Sequence, residues 1–419
     1  MEYLIFVAWL VFFAWLVTKV PFFTKSGLNE SQVIIVFLLK VMAGILYGWI
    51  GVYYGGLAQM VDTWNYHYNG IQEYHLLQTN PREFFTNLLN DPYEGGFLKF
   101  FGNKDSFWND LKSNALIKIL SIFDVLSFGY YYVNVIFYSF LTLFGPVCCF
   151  RVMNDVFPGR KLAIAIATFL VPSFLYWTSG IHKDGLTFTG IMFIIYGIYF
   201  GLKSKKFDLK KILMILLGFF ILLIFRNYII VIIAPALLAW LLSVKWPKHG
   251  LTIFAGIYIL FIILFFTVRY IKPGWDFPQA VVNKQEAFMQ LHGNSYVPIK
   301  KLEPTAISFL KNIPQALTLS TIRPYPGDVN HILSLAAAVE IDLLIMLALL
   351  FFLFRTNGAL SKNFIYFCIF FSFSILLTIG YTVNFLGAIV RYRSIVIPLL
   401  IVPIVSQIDW KRLGKVIFN

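Results

Sequence analysis

Long unbroken apolar runs constrain this chain more than any other feature. Val33–Leu39, Ile212–Phe225 and Leu343–Phe354 contain no charged residue, and runs of this kind have no stable place on the surface of a water-soluble globule. Hydrophobic residues make up 59% of the sequence, charged residues only 13%, and the mean hydropathy is +0.75, so the runs are the rule and not local exceptions. They do not alternate residue by residue, which excludes a transmembrane β-barrel. The sequence therefore predicts an all-α, polytopic transmembrane helical bundle, with residues 1–419 as a single integral membrane domain. Tyr3–Val17 has no basic leader and no small-residue cleavage site after it, so it reads as a retained span.

About eleven spans are expected, near 3–18, 32–56, 131–150, 162–178, 186–202, 212–225, 228–244, 250–270, 335–354, 363–380 and 394–408. Basic residues orient them. With the N terminus outside and the C terminus inside, the short inner linkers hold Lys203, Lys205, Lys206, Lys210 and Lys211, then Lys245 and Lys248, and finally Lys411, Arg412 and Lys415. The net charge of +14 is then mostly topology and contact with anionic lipid, which leaves no case for nucleic acid. Lys40 reads as a lysine snorkelling near the inner leaflet, with no chemistry assigned to it. Cys148, Cys149 and Cys368 form neither a disulfide framework nor a metal-ligand spacing, and no Asp-x-Asp motif is present, so neither a metal nor a cofactor is expected.

Against this charge bias, four cations stand at outward ends of spans: Lys183, Arg226, Arg391 and Arg393. Binding an anionic group is the simplest reason for them. Arg226 interrupts an apolar stretch from Ile212 to Leu242, which places it at the outward tip of a hairpin. Arg391 and Arg393 open the last span two residues apart, so at most one of them points into a common pocket. In the turn His182-Lys183-Asp184-Gly185, the plainer reading has Asp184 capping the next helix and Lys183 reaching phospholipid headgroups. Glu340 and Asp342 either line a cavity or mark a later start of their span.

Two long outward loops, 57–130 and 271–334, carry most of the remaining polar residues and are expected to cap one cavity. As a helix, the first brings Asp62, Tyr66 and Glu73 onto one face, at i, i+4 and i+11, with Trp64, Tyr68 and His75 on another. Asp62 alone would only mark the water boundary; the shared face is what points to chemistry. Phe84–Leu89 and Phe107–Leu111 read as short amphipathic helices on the outer leaflet, broken by the turns at Asp91-Pro92 and Glu94-Gly95-Gly96. In the second loop, prolines stiffen Arg323-Pro324-Tyr325-Pro326 and hold Arg323 over the membrane surface.

Outward cations, carboxylates and an aromatic surface at the hydrocarbon edge suit a lipid-linked sugar donor, whose leaving group is a phosphate or pyrophosphate. Cations that tighten on that anion lower the barrier, and a carboxylate takes the acceptor's proton. Asp62 is the first choice for the base and Asp184 the second catalytic carboxylate; Tyr66, Glu73, His182, Lys183, Arg226, Arg323, Arg391 and Arg393 are substrate-binding candidates.

The pair Asp62 and Tyr66 in the first large outward loop resembles the start of the catalytic loop of membrane-embedded C-type glycosyltransferases. The stretch Ile224-Phe225-Arg226-Asn227-Tyr228, and Arg391-Tyr392-Arg393 leading to Pro398, are similar to patterns in those enzymes and in bacterial O-antigen and exopolysaccharide polymerases. Pro172–Asp184 likewise resembles a turn of envelope proteins in this group. The resemblance implies a general-base role for Asp62 and pyrophosphate binding by the outward arginines. In C-type enzymes the aspartate loop follows the first span with the N terminus inside; an additional leading helix accounts for the difference. The expected function is an envelope glycosyltransferase or polysaccharide polymerase of the bacterial cytoplasmic (inner) membrane. Its expected partners are a polyprenyl-linked saccharide, membrane lipid and envelope-polysaccharide assembly proteins. The alternative is a transporter or flippase of an anionic lipid-linked saccharide, for which charges and broken helices are expected near the bilayer midplane.

Overall fold

The computed structural model describes residues 1–53, 61–93, 106–356 and 359–418. The expected turn at Glu94-Gly95-Gly96 and the end of the span expected over 32–56 lie outside these residues. Helices follow one another as α1 (Glu2–Leu16), α2 (Pro21–Thr24), α3 (Glu30–Tyr53), α4 (Val61–Thr79), α5 (Pro81–Thr86), α6 (Phe107–Ser127) and α7 (Tyr131–Val156). Then come α8 (Lys161–Phe169), α9 (Pro172–Ser179), α10 (Lys183–Ser204), α11 (Leu209–Lys245), α12 (Gly250–Ile271) and α13 (Phe277–Met289). The chain closes with α14 (Ala306–Thr321), α15 (Ile332–Leu353), α16 (Lys362–Thr382), α17 (Leu386–Ser394), α18 (Ile397–Ser406) and α19 (Trp410–Phe418). No strand occurs among the described residues.

Among the described residues seven helices are long and apolar enough to cross a membrane: α3, α7, α10, α11, α15, α16 and the stretch Pro247–Ile271 that contains α12. Two bent pairs, α8 with α9 at 53° and α17 with α18 at 63°, raise the number to nine when each is taken as one span. Proline explains the first break, since Pro172 opens α9 and cannot continue the α8 hydrogen-bond ladder. The spans expected over 212–225 and 228–244 form one helical stretch, α11, whose backbone leaves helical geometry at Arg226 (φ −152°, ψ 62°). By length and composition these apolar helices suit a multi-pass membrane protein.

Two compact units divide the chain. The first comprises Met1–Val152 and Phe174–Asn227, the second Met153–Ser173 and Tyr228–Asn419.

In the first unit, α10 packs antiparallel on the leading half of α11. Small residues permit the approach: a Cβ on Gly218 would lie 2.6 Å from the Gly190 carbonyl oxygen, and one on Gly190 would lie 2.9 Å from Ile221 and 3.1 Å from the Gly218 carbonyl oxygen. In hydrocarbon, where lipid is as apolar as leucine, such backbone proximity is what holds helices together. The antiparallel pairing brings the end of that half, Arg226, beside the start of α10 at Lys183 and Asp184. Phe84–Leu89 is short as expected, lying in α5 and the 3-10 turn at Asn87–Leu89 with Phe85 and Leu89 exposed, but Phe107–Leu111 only begins a long helix. α6 is 21 residues long, capped by Ser106 at the Asn109 N–H, and buries Leu111, Ala115, Leu116, Lys118 and Leu120. It packs on α4, with Gly70 against Leu120. Its apolar face is spent on protein, and Phe84 is buried as well.

Lys40 does not snorkel. It is buried in the middle of α3, about 15 Å from the helix start. Its Nζ donates to the Thr178 carbonyl at 2.6 Å and lies 3.3 Å from Ser179 Oγ. The amine finds orphan acceptors at the end of α9, a nearer and stronger partner than distant headgroups.

In the second unit, α14 packs on α16, and a Cβ at Gly380 would collide with the Ala316 carbonyl. Gln285 ties this layer by donating to the Tyr381 carbonyl at 2.8 Å and accepting the Leu302 N–H at 2.8 Å. α8 packs on α18.

Candidate functional site

The first unit gathers a polar cluster where the turn between α9 and α10 meets α4. His182 is the N-cap of α10: its Nδ1 accepts the Lys183 N–H at 2.8 Å, while its carbonyl accepts from the Tyr138 hydroxyl. Accepting at Nδ1 puts the proton of a neutral imidazole on Nε2. That nitrogen lies 3.6 Å from Asp62 Oδ2, and Asp184 Oδ2 stands 3.2 Å from Nδ1.

Asp184 does not serve as the cap. Its Oδ1 accepts from Arg226 Nη2 at 2.6 Å, and the carboxylate is almost wholly buried. The backbone leaves helical geometry at Arg226, the residue whose guanidinium makes this pair. Gly185 lets the turn close, because a Cβ there would lie 2.4 Å from the Thr178 carbonyl oxygen. Lys183 does not reach outward to headgroups; its Nζ sits 5.2 Å from the centre of the Tyr66 ring and 3.2 Å from Ser113 Oγ. Tyr66 also packs against His182, with ring centres 5.6 Å apart. Six candidates thus come together: Asp62, Tyr66, His182, Lys183, Asp184 and Arg226. Asp62 is exposed, the carboxylate most open to an incoming molecule.

Glu73 shares the α4 face but belongs to a second place, pairing with Lys118 at 2.5 Å. Lys118 also lies over the Phe84 ring at 3.8 Å. Of the other face, Trp64 stacks on Tyr131 with ring centres 4.1 Å apart, whereas Tyr68 and His75 are exposed. Reasoning from sequence missed Lys118 and His67. Leu111, Ala115 and Lys118 recur at i, i+4 and i+7, so the buried face of α6 was the available signal for the lysine. His67 is buried, and burial pushes its imidazole down to about 4. In α6, burial pushes the Asp124 carboxyl up, against hydrogen bonds from Asn134 and Ser127.

Three candidates lie in the second unit. Arg323 does not present its guanidinium to the membrane surface: it forms a two-point pair with Asp328, Nε to Oδ2 at 2.9 Å and Nη2 to Oδ1 at 2.7 Å. Burial works against the charge of Asp328, but Arg323 and the Tyr325 N–H hold its carboxyl below the ordinary value. Arg391 and Arg393 close the short helix α17 and do not open a span. Arg393 is buried and donates from Nη1 to the Arg323 carbonyl, while Arg391 is half-buried with its guanidinium 5.7 Å from the Tyr392 ring centre. Glu340 is buried in α15 and accepts the Ser173 N–H at 2.6 Å; Asp342 is exposed.

Among the described residues no group of three or more His, Cys, Asp or Glu side chains is placed to hold a metal ion. Compared with protein-family models, with curated proteins and with solved structures, the chain matches none.

Proposed function

We propose that this protein is an envelope glycosyltransferase or polysaccharide polymerase of the bacterial cytoplasmic membrane, working on its outer face with a polyprenyl-linked sugar donor. One observation carries the reading: an exposed carboxylate, Asp62, beside an imidazole whose Nε2–H faces it, with Lys183 and Arg226 in the same cluster. Asp62 takes the proton of the acceptor hydroxyl as that oxygen bonds to the anomeric carbon. The bond from the anomeric carbon to the donor phosphate breaks, and the phosphate leaves as an anion. His182 stands beside Asp62, with Nε2 3.6 Å from Oδ2, and Asp184 steadies Arg226. Lys183 and Arg226 meet the charge that develops on the leaving phosphate. The apolar helices beside the cluster suit an isoprenoid tail.

In this reading the membrane is crossed eleven times with the N terminus outside, counting α1 as a crossing and each half of α11 as one. Reporter fusions at the ends of α1 and α19 test the orientation.

The deciding assay is transfer of labelled sugar from a polyprenyl phosphate or pyrophosphate by the purified protein in lipid nanodiscs. Asp62→Asn is expected to lower turnover by about 10²- to 10⁴-fold with donor binding retained. Full turnover by that variant removes Asp62 as base, and wild-type donor affinity in both Lys183→Ala and Arg226→Ala removes the cations.

A second reading, transport of the same class of lipid-linked saccharide, is favoured by buried Lys40 at the end of α9 and by the two bent helix pairs. Movement of a fluorescent lipid-linked saccharide across proteoliposomes without acceptor, abolished by Lys40→Met but not by Asp62→Asn, would establish it over the first.

A further inference from the structure

We infer that the cleft between α4, residues 87–89 and α6 is a subsite for uncharged saccharide units, apart from the Asp62–His182 cluster. The inference rests on the glycan reading given above and deepens it.

The cleft has a volume of about 360 Å³, near the low end of the roughly 300–1,000 Å³ typical of small-ligand pockets. Four carboxamides, Asn69, Gln72, Asn87 and Asn114, line it together with Glu73 and Lys118. Each carboxamide offers one acceptor and two donors, which is the complement of a sugar hydroxyl that both donates and accepts. Leu76, Leu88 and Ile117 supply apolar surface for the C–H face of a pyranose ring. The amide groups are already partly held: Asn87 Nδ2 donates to Glu73 Oε1 at 3.2 Å, leaving its buried Oδ1 without a hydrogen-bond partner. Buried acceptors of this kind cost free energy until a donor arrives.

Charge selects against an anion. Among the described residues that line the cleft the cation is Lys118, which pairs with Glu73 at 2.5 Å and lies over the Phe84 ring, so the described lining carries no net positive charge. A phosphate or uronate therefore gains nothing here that a neutral sugar does not.

Placement ties the cleft to the reacting end. Asp62, Tyr66, Asn69, Glu73 and Leu76 recur at alternating steps of four and three residues, so one continuous stripe of α4 runs from the carboxylate into the cleft. A chain molecule engaged at Asp62 can lie along that stripe with later units among the amides, as a glycan acceptor or a lengthening lipid-linked glycan would.

The test is binding of the full-length protein in lipid nanodiscs to an array of bacterial oligosaccharides, neutral and uronic-acid-bearing, followed by titration of the best neutral binder. Gln72→Leu/Asn114→Leu is expected to weaken neutral binding about tenfold or more, two lost hydrogen bonds each worth a factor of several. Asn114→Asp, which keeps the shape but exchanges the two N–H donors for a negatively charged acceptor, is expected to weaken it by a smaller factor and guards against misfolding of the double variant. No neutral binding, preference for uronic acids or for peptides over neutral glycans, or unchanged affinity in both variants would overturn the assignment. Glycan binding that the cleft variants abolish, in a protein that transfers no sugar, leaves the subsite standing and sinks the transferase. Turnover in the wild type, with glycan affinity indifferent to the cleft variants, does the reverse.

Discussion

The ion pair between Asp184 and Arg226 offers the sharpest test of how the cluster is held. At 2.6 Å the gross attraction is about 6 kcal/mol for an effective dielectric near 20. Most of it offsets the desolvation of two side chains that are 1% and 12% exposed. Removing one partner takes from the other the opposite charge 2.6 Å away. Asp184→Asn or Arg226→Met is therefore expected to cost about 3–5 kcal/mol, the usual loss when a buried charge is left without its mate. Asp184→Asn falls at the lower end, since the amide oxygen still accepts from Arg226. At roughly 2–4 °C per kcal/mol for a body of 150–250 residues, 3 kcal/mol is a fall of about 6–12 °C in Tm. The double variant strands neither charge and is expected to recover most of the loss. Thermal unfolding followed with a thiol-reactive dye measures this directly, because Cys148 and Cys149 are buried in the first unit; Cys368→Ala keeps the signal there. Single variants within about 0.5 kcal/mol of wild type, or effects that simply add in the double variant, refute the pairing.

Other expectations follow from neighbouring residues. His67 carries a folded pKa of about 4 against an ordinary 6.5, so the unfolded chain binds the extra proton between those values. Stability is then full above about pH 6.5 and falls by about 3 kcal/mol as pH drops to 4, a slope that His67→Phe should flatten in a pH series of melting curves. Asp124→Asn is expected to stabilise the protein near neutral pH by about 1–3 kcal/mol. Burial disfavours the Asp124 anion and leaves Oδ2 unpartnered, and a lower Tm in that variant would refute the reasoning. Gly218→Val drives a side chain onto the Gly190 carbonyl; a loss of about 1–3 kcal/mol is expected in the same unfolding assay, and a neutral outcome would show that α10 and α11 do not meet there.

Composition and run length were enough to read helices and a membrane, because hydrocarbon leaves a chain few other ways to satisfy its backbone. Charge placement found much of the cluster for a similar reason: cations such as Lys183 and Arg226 are costly at a bilayer edge and need partners. What a one-dimensional pattern could not disclose is which partner each found. Arg323 was read as reaching for a ligand, yet a carboxylate five residues on holds it. The pattern assigns Lys40 to the headgroups, yet the Thr178 carbonyl, 138 residues away, holds it. Phe107–Leu111 reads as short because the burial of Lys118 depends on Glu73 and Phe84, contributed by two other helices, α4 and α5.

A straight helix is also a ruler. Eleven residues separate Asp62 from Glu73, a rise of about 16 Å, and each residue added or removed between them would turn one end against the other by about 100°. On the proposed glycan reading, insertions in α4 would change the number of sugar units that fit between the two places before they change the chemistry at Asp62.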